Sequence, residues 1–488
     1  MRREPRTPIT LAIALVTGAA LMAQQAPPPT TQAVVLKGKA PVSNEVLKVK
    51  LPRPGEVDLA NGAHLMVLED HRAPQVSFTI SMPGGGGYFD PADMIGLASA
   101  TASLMREGTA TKTSAQMSEQ LETMAASVGA GAGLTSVDAT LSGSSLTENF
   151  QQTLAMAADV LLHPTFPEDE LGRYKQRIKP GLVQQRSSPN FLGAELYQRL
   201  VYGTHPASRI SATAESIDKI TRDAMVQWHA AHFVPDHALI SISGDITLAD
   251  AKRAFEAALT TWKKSAGSTG AIGEPPTMGP GRVSFIARPG SVQTTLMVGT
   301  QAISRTDPDY DAFMVMNKVL GDGPTGRLFT HLREEKGYTY GASSALGASR
   351  WRGDWLASLD VRTDVTEPAI KDLMAEIARM RDETIPQKDF DNAKRAMIAT
   401  FALRLESPAA VLSNFVTART YQFPLDYWDK YPERINAVTQ AQALAVAKKY
   451  LDPKRLNIIA VGDPKVADVF KQFGTLELYD ANGKPVVK

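Results

Sequence analysis

Phe233–Asp245, FVPDHALISISGD, returns as Leu451–Asp463, LDPKRLNIIAVGD. Pro235 and Gly244 stand nine residues apart, as do Pro453 and Gly462, and the offset between copies is 218. Phe166–Leu171, FPEDEL, returns as Ile385–Phe390, IPQKDF, at an offset of 219. Phe78 falls on Leu296, and Val137, Ala139 and Leu141 fall on Trp355, Ala357 and Leu359. Spacing kept along the whole chain marks a duplication, with each copy about one domain in size. Strand and helix patterns come in mixed order, not as strict βαβα. The expected fold is therefore α+β: two tandem homologous domains, each a mixed or antiparallel sheet backed by helices.

Met1–Ala23 sets Arg2, Arg3 and Arg6 ahead of the apolar run Ile9–Ala23. That is the pattern of a secretory signal peptide, and the run is short for a bilayer span. Residues 24–46, rich in Pro, Gln and Thr, read as a flexible lead-in. Residues 47–264 make the first domain, 265–280 a Gly-, Ser-, Pro- and Thr-rich linker, and 281–488 the second domain. The chain has no cysteine, so disulfides, a thiol nucleophile and a lipoprotein anchor are all excluded. The expected location is the periplasm. With 52 Lys+Arg against 51 Asp+Glu, bulk charge points to neither nucleic acid nor a membrane surface. No membrane span is expected once the signal is removed.

In the first copy, Gln75–Met82 alternates as a half-buried strand, with Val76, Phe78, Ile80 and Met82 on one face. Gly84–Gly87 ends it, as a turn that lets the backbone pass close to a neighbour. Helical spacing covers Gly96–Arg106, Ser114–Val128 and Phe150–Leu162, and Leu134–Leu141 alternates as a strand. Asp169–Gln185 is helical with a kink or break at Pro180. Thr247 and Asp250 open a helix that runs to Lys264. In the second copy, Thr366 caps a helix to Thr384 that buries Ile370, Leu373, Met374, Ile377 and Met380.

The eight histidines form neither H-E-x-x-H nor H-x-x-E-H. His229 and His232 lie three apart with no acid in the same turn, and read as helix-surface or helix-end residues. His331–Glu335, HLREE, carries Glu335 where an inverted motif needs its second histidine. Neither Gly84–Gly87 nor Gly321–Gly326 leads into the Lys-Ser/Thr of a phosphate loop, and no G-x-S-x-G elbow occurs. What remains is Gly321–Ala342, GDGPTGRLFTHLREEKGYTYGA. It sets Arg333 and Tyr340 seven apart, with a turn at Gly337 between them. A planar guanidinium suits a peptide carbonyl or carboxylate, and a phenol can donate to a developing oxyanion.

These stretches resemble the pitrilysin, insulinase and mitochondrial-processing-peptidase group of inverted-motif zinc peptidases, over about residues 47–470. The group's helix reads G-L-A-H-x-x-E-H-x-x-x-x-G-T. Here Gly96, Leu97 and Ala98 match, Ser99, Ala102 and Ser103 stand at the His, Glu and His positions, and Gly108 and Thr109 match again. The distal glutamate ligand is due near Lys179–Gln185, where Gln184 and Gln185 stand and no acid does. Serine and alanine cannot replace two imidazoles and a carboxylate around zinc. The resemblance thus implies no metal or cofactor in this chain, and no hydrolysis by it alone.

The group's second motif, G-x-x-S-R-L-F-x-x-L-R-E-x-x-G-x-x-Y, is matched at Gly323, Arg327, Leu328, Phe329, Leu332, Arg333, Glu334, Gly337 and Tyr340, with Gly326 at the serine position. In the group, this Arg and Tyr are thought to hold the scissile peptide from the side opposite the zinc. Subtracting 218 gives Ala115 and Glu122, so the pair belongs to one half. The resemblance implies a processing-peptidase-like metallohydrolase fold and a metal-free subunit of a heterodimeric zinc peptidase. A homologous partner brings the zinc, Arg333 orients the carbonyl of a peptide substrate, and Tyr340 stabilises the oxyanion. The alternative is a peptide-binding or scaffold protein that keeps the fold without hydrolysis.

Overall fold

The computed structural model describes residues 45–264, 271–481 and 483–486. The expected signal peptide, residues 24–44 of the lead-in and residues 265–270 of the linker lie outside them. The first half runs β1 (Gly55–Asp58), β2 (His64–Glu69), β3 (Gln75–Pro83), α1 (Leu97–Leu104), α2 (Ser114–Thr123), β4 (Ser127–Ala132) and β5 (Asp138–Leu146). It continues with α3 (Phe150–Leu162), α4 (Glu168–Gln185), α5 (Pro189–Tyr202), α6 (Ala214–Lys219), α7 (Arg222–His232), β6 (Leu239–Gly244) and α8 (Leu248–Ala258). The second half runs β7 (Val283–Ala287), β8 (Gln293–Gln301), α9 (Tyr310–Leu320), α10 (Arg327–Phe329), β9 (Thr339–Gly347) and β10 (Asp354–Arg362). Then follow α11 (Thr366–Asp382), α12 (Gln387–Arg404), α13 (Pro408–Thr420), α14 (Tyr431–Ala437), α15 (Gln440–Tyr450), β11 (Asn457–Gly462) and β12 (Leu476–Tyr479).

Each half builds one six-stranded mixed sheet, ordered β1-β2-β6-β3-β5-β4 and β12-β7-β11-β8-β10-β9. This is the expected α+β pair. One face of each sheet packs on helices of its own half. Val76, Phe78, Ile80 and Met82 of β3 supply that face in the first core, and Leu296 and Val298 of β8 in the second. The stripe of α11 is buried as expected, with Met374 only partly so.

The opposite faces are covered by an exchange of helices. Leu192, Leu196, Tyr197 and Val201 of α5 pack on Ile286, Met297, Ile459 and Val461 of the second sheet. Val411, Leu412 and Phe415 of α13 pack on Met66 and Leu68 of the first. Both arms begin alike. Ser188 and Ser407 accept from the backbone N–H of Phe191 and Ala410, and Pro189 and Pro408 follow. With both faces covered, β11 is buried at every residue. The fit is close enough to need glycine. A Cβ on Gly299 would stand 2.6 Å from the Tyr197 hydroxyl and 2.5 Å from the Trp355 carbonyl oxygen.

Several expected boundaries move. β5 begins at Asp138, not Leu134, because Leu134–Val137 belong to the turn after β4. The helix expected to Val128 stops at Thr123, and its tail becomes edge strand β4. α8 ends at Ala258, short of Lys264, because Leu259 and Trp262 turn into the core and the Trp262 indole donates to the Phe233 carbonyl at 2.8 Å. α4 runs through Pro180 to Gln185. Pro180 and Gln176 are both exposed, so water can reach the carbonyl left without its N–H. Thr366 does not cap α11: it is the first helical residue, and its hydroxyl donates to the Thr363 carbonyl.

The strand register also corrects the repeat. Ile80 pairs with Leu141 and Val298 with Ala357, so Leu141 corresponds to Ala357, an offset of 216. The second half is two residues shorter between these strands. An even deletion keeps the same side chains facing the core, which is why the apolar pattern also matched at 218.

Candidate functional site

α1 carries the first set of expected positions. Gly96 enters it at φ 102°, a left-handed conformation that favours glycine. The Asp90 carboxylate accepts from the backbone N–H of Gly96 at 2.7 Å and of Ala98 at 2.8 Å, satisfying donors left open at a helix start. Burial pushes this carboxyl up to about 6, against the pull of those two hydrogen bonds. Along the helix, the Ser99 hydroxyl donates to the Ala132 carbonyl at the end of β4. Ala102 is buried in the first core, and Ser103 is exposed. At the end of α4, Gln184 donates to the Ser187 hydroxyl at 3.2 Å and Gln185 donates to that of Ser211. Among the described residues no cluster of three or more His, Asp or Glu side chains can hold a metal ion.

The remaining histidines do other work. His229 and His232 lie in the last turn of α7, the helix-end position expected of them, and are half-buried. His229 Nε2 meets the Leu161 carbonyl at 2.8 Å, and His232 stacks on Trp228 with ring centroids 3.9 Å apart. Burial lowers both pKa values. His331 Nδ1 meets buried Glu376 Oε1 at 2.8 Å, and Arg379 donates to the same oxygen at 2.8 Å. This ties the turn around His331 to α11.

Arg333 stands on an unusual turn. After α10 the chain widens into a π-helix over Thr330–Glu335, in which the Lys336 N–H donates five residues back to the His331 carbonyl at 3.0 Å. Such wide turns are rare and often mark functional positions. Buried Leu328 and Leu332 hold it to the core. Gly337, at φ 63°, then reverses the chain into β9.

β9 is the outer strand of its sheet, and Tyr340 sits in an irregularity there. Leu359 pairs with Ala342 and Val361 with Thr339, so Tyr340 and Gly341 both face the single residue Asp360. This is a β-bulge, a device that re-aims a side chain. Tyr340 is 89% exposed. The Arg333 guanidinium carbon lies 5.0 Å from the Tyr340 ring centroid and 4.7 Å from that of Phe329. Among the described residues the guanidinium has no hydrogen-bond or ion-pair partner. The expected pair is therefore adjacent, with its polar atoms unspent. In the first half, Val128 is the register counterpart of Ala342, and Ala126 and Ser127 precede it. No tyrosine stands there.

Two supports fix the bulge. Asp360 accepts from the Thr295 hydroxyl at 2.5 Å and from the Asn190 amide at 3.0 Å. Asn190 lies at the start of arm α5, five residues after Gln185, so the end of α4 is tethered to the strand beside Tyr340. On the core side, buried Asn317 donates to the Ser344 carbonyl at 3.1 Å and accepts from the Ser344 hydroxyl and the Trp355 indole at 2.7 Å each. Phe329 lay inside the motif quoted above. Asp360 and Asn190, 170 residues apart, leave no local signal. The glycine turn Gly84–Gly87 passes close to backbone: a Cβ on Gly86 would stand 2.1 Å from the Ser136 carbonyl oxygen.

Residues 65–211 match the family described as insulinase (peptidase family M16), and residues 219–397 match the peptidase M16 inactive domain. The zinc protease YmxG of Bacillus subtilis is 22% identical over 358 residues, 72% of this chain and 85% of its own. A peptidase M16 inactive domain from Pseudomonas fluorescens superposes with a TM-score of 0.77 at 27% identity, covering 84% of this chain and 98% of that one. The periplasmic protease PqqL of Escherichia coli gives 0.71 at 15% identity, over 86% of this chain and 46% of its own. With matched segments spanning well over half its length, the chain belongs to the insulinase family, peptidase family M16.

Proposed function

We propose that this chain is the metal-free subunit of an exported two-chain zinc peptidase, gripping a peptide for a homologous partner that carries the metal. The observation that carries this reading is the free Arg333 guanidinium beside the exposed Tyr340 phenol, on a π-turn and a bulge. The partner's zinc would supply the activated water. Arg333 donates to the carbonyl of the peptide and holds its plane. The Tyr340 hydroxyl donates to the oxygen as negative charge develops on it. Ser99, Ala102 and Ser103, at the motif's three metal-site positions, take no part in the chemistry. Residues 1–23 would direct export to the periplasm, ahead of the domain plan set out above. Among the described residues no single helix is long and apolar enough to cross a membrane.

The test is hydrolysis by the assembled pair. Arg333→Ala and Tyr340→Phe should each lower kcat/KM by about 10²- to 10³-fold while assembly is unchanged. Unaltered turnover in both variants would reject the roles. The open edge of β9 favours a second reading, in which an extended peptide adds as a strand and is only held. A stable homodimer that recruits no zinc-bearing chain would favour it.

A further inference from the structure

We propose that Phe329 is a positioning residue for the Arg333–Tyr340 pair, an inference that rests on the peptide-gripping reading above. Arg333 is half-buried, yet among the described residues no carboxylate holds its guanidinium. A long side chain with free donors has many rotamers, and ordering them costs binding energy when the ligand arrives. Here order comes from two ring faces, Phe329 at 4.7 Å and Tyr340 at 5.0 Å. Tyr340 is almost fully exposed and belongs to the recognition surface itself. Phe329 is the fixed member: it is the last residue of α10, partly buried, four residues before Arg333 and so on the same side of the turn. Its neighbour Leu328 is wholly buried and anchors that turn. An aromatic face attracts the cation without occupying an N–H, whereas a carboxylate would consume the fork. Phe329 thus holds Arg333 ready and leaves every donor for the peptide.

The contact can be read in the lone chain by NMR of arginine side chains labelled with ¹⁵N. The Arg333 Nε–H resonance, assigned by its loss in Arg333→Lys, should be displaced by ring currents. Phe329→Met, which keeps apolar bulk without a ring, should move it toward the free-arginine position, and Phe329→Tyr should retain it. The functional arm is the Kd of a fluorescein-labelled unstructured peptide of mixed sequence. Phe329→Met should weaken binding by about three- to ten-fold. Phe329→Tyr should restore it, and Phe329→Met should add nothing to Arg333→Ala. If Phe329→Met destabilises the fold, Phe329→Leu replaces it, with thermal melts confirming a native state. A Phe329→Met chain that binds like wild type while Arg333→Ala fails would overturn this inference alone. Loss of no affinity in Arg333→Ala, or no binding by the native chain, would overturn the reading beneath it. An Arg333 resonance indifferent to the ring at 329 would overturn the contact itself.

Discussion

Asp90 is a carboxylate at 5% exposure, held by two backbone N–H groups at the mouth of α1. Its pKa of about 6 in the folded chain stands above the 3.8 of a free aspartate. The folded state therefore binds this proton more tightly than the unfolded state does. The stabilisation is complete below about pH 4 and is lost as pH rises through about 6, amounting to roughly 3 kcal/mol. Asp90→Asn should flatten that slope, at a cost of about 1 kcal/mol for one weakened cap. Urea titrations from pH 4 to pH 7 check this; parallel profiles for the two proteins would refute it. Nothing near Asp90 in the sequence announced it, because its importance comes from burial. Arg333 and Tyr340 were legible because a local motif carries them. Their contact, and the free state of the guanidinium, depend on a π-turn and a bulge that no pattern of side chains spells out.

β9 shows what an element needs to present such a pair. Its outer edge is open, so the inner side must hold it, and Asn317 joins it to α9 and β10 through Ser344 and Trp355. Asn317→Leu would leave a buried indole N–H and a buried hydroxyl without partners. The expected loss is about 3 kcal/mol, read as a lower urea midpoint with the slope unchanged. The strands with clean alternation, such as β3, could be read directly. β5 starts later than the apolar alternation suggests because Ser142–Ser145 carry little apolar signal, and the helix expected over Ser114–Val128 overruns only the first two residues of β4, Ser127 and Val128. Helix α3 was read at both ends because its apolar stripe is unbroken.

At the scale of the molecule, the duplication was visible but the exchange of arms was not. Nothing in the arms' own sequences says whose sheet they serve, and only contact reveals it. Because each sheet borrows a cover from the other half, neither half has a complete set of packed faces alone. Calorimetry should therefore show one cooperative transition over both halves, with calorimetric and van't Hoff enthalpies equal. Two resolved transitions would contradict this. Gly299→Ala, which drives a methyl into the Tyr197 hydroxyl and the Trp355 carbonyl, should lower that single transition by several degrees.

The same borrowing sets a timetable during synthesis. A nascent chain has completed β6 long before the ribosome reaches Pro408–Thr420, so the first sheet must wait with Met66 and Leu68 uncovered. The second sheet has no such wait, since α5 is already made when its strands emerge. Maturation of the first half is thus tied to the last quarter of the polypeptide, and a chain truncated before Pro408 would be left with an adhesive face.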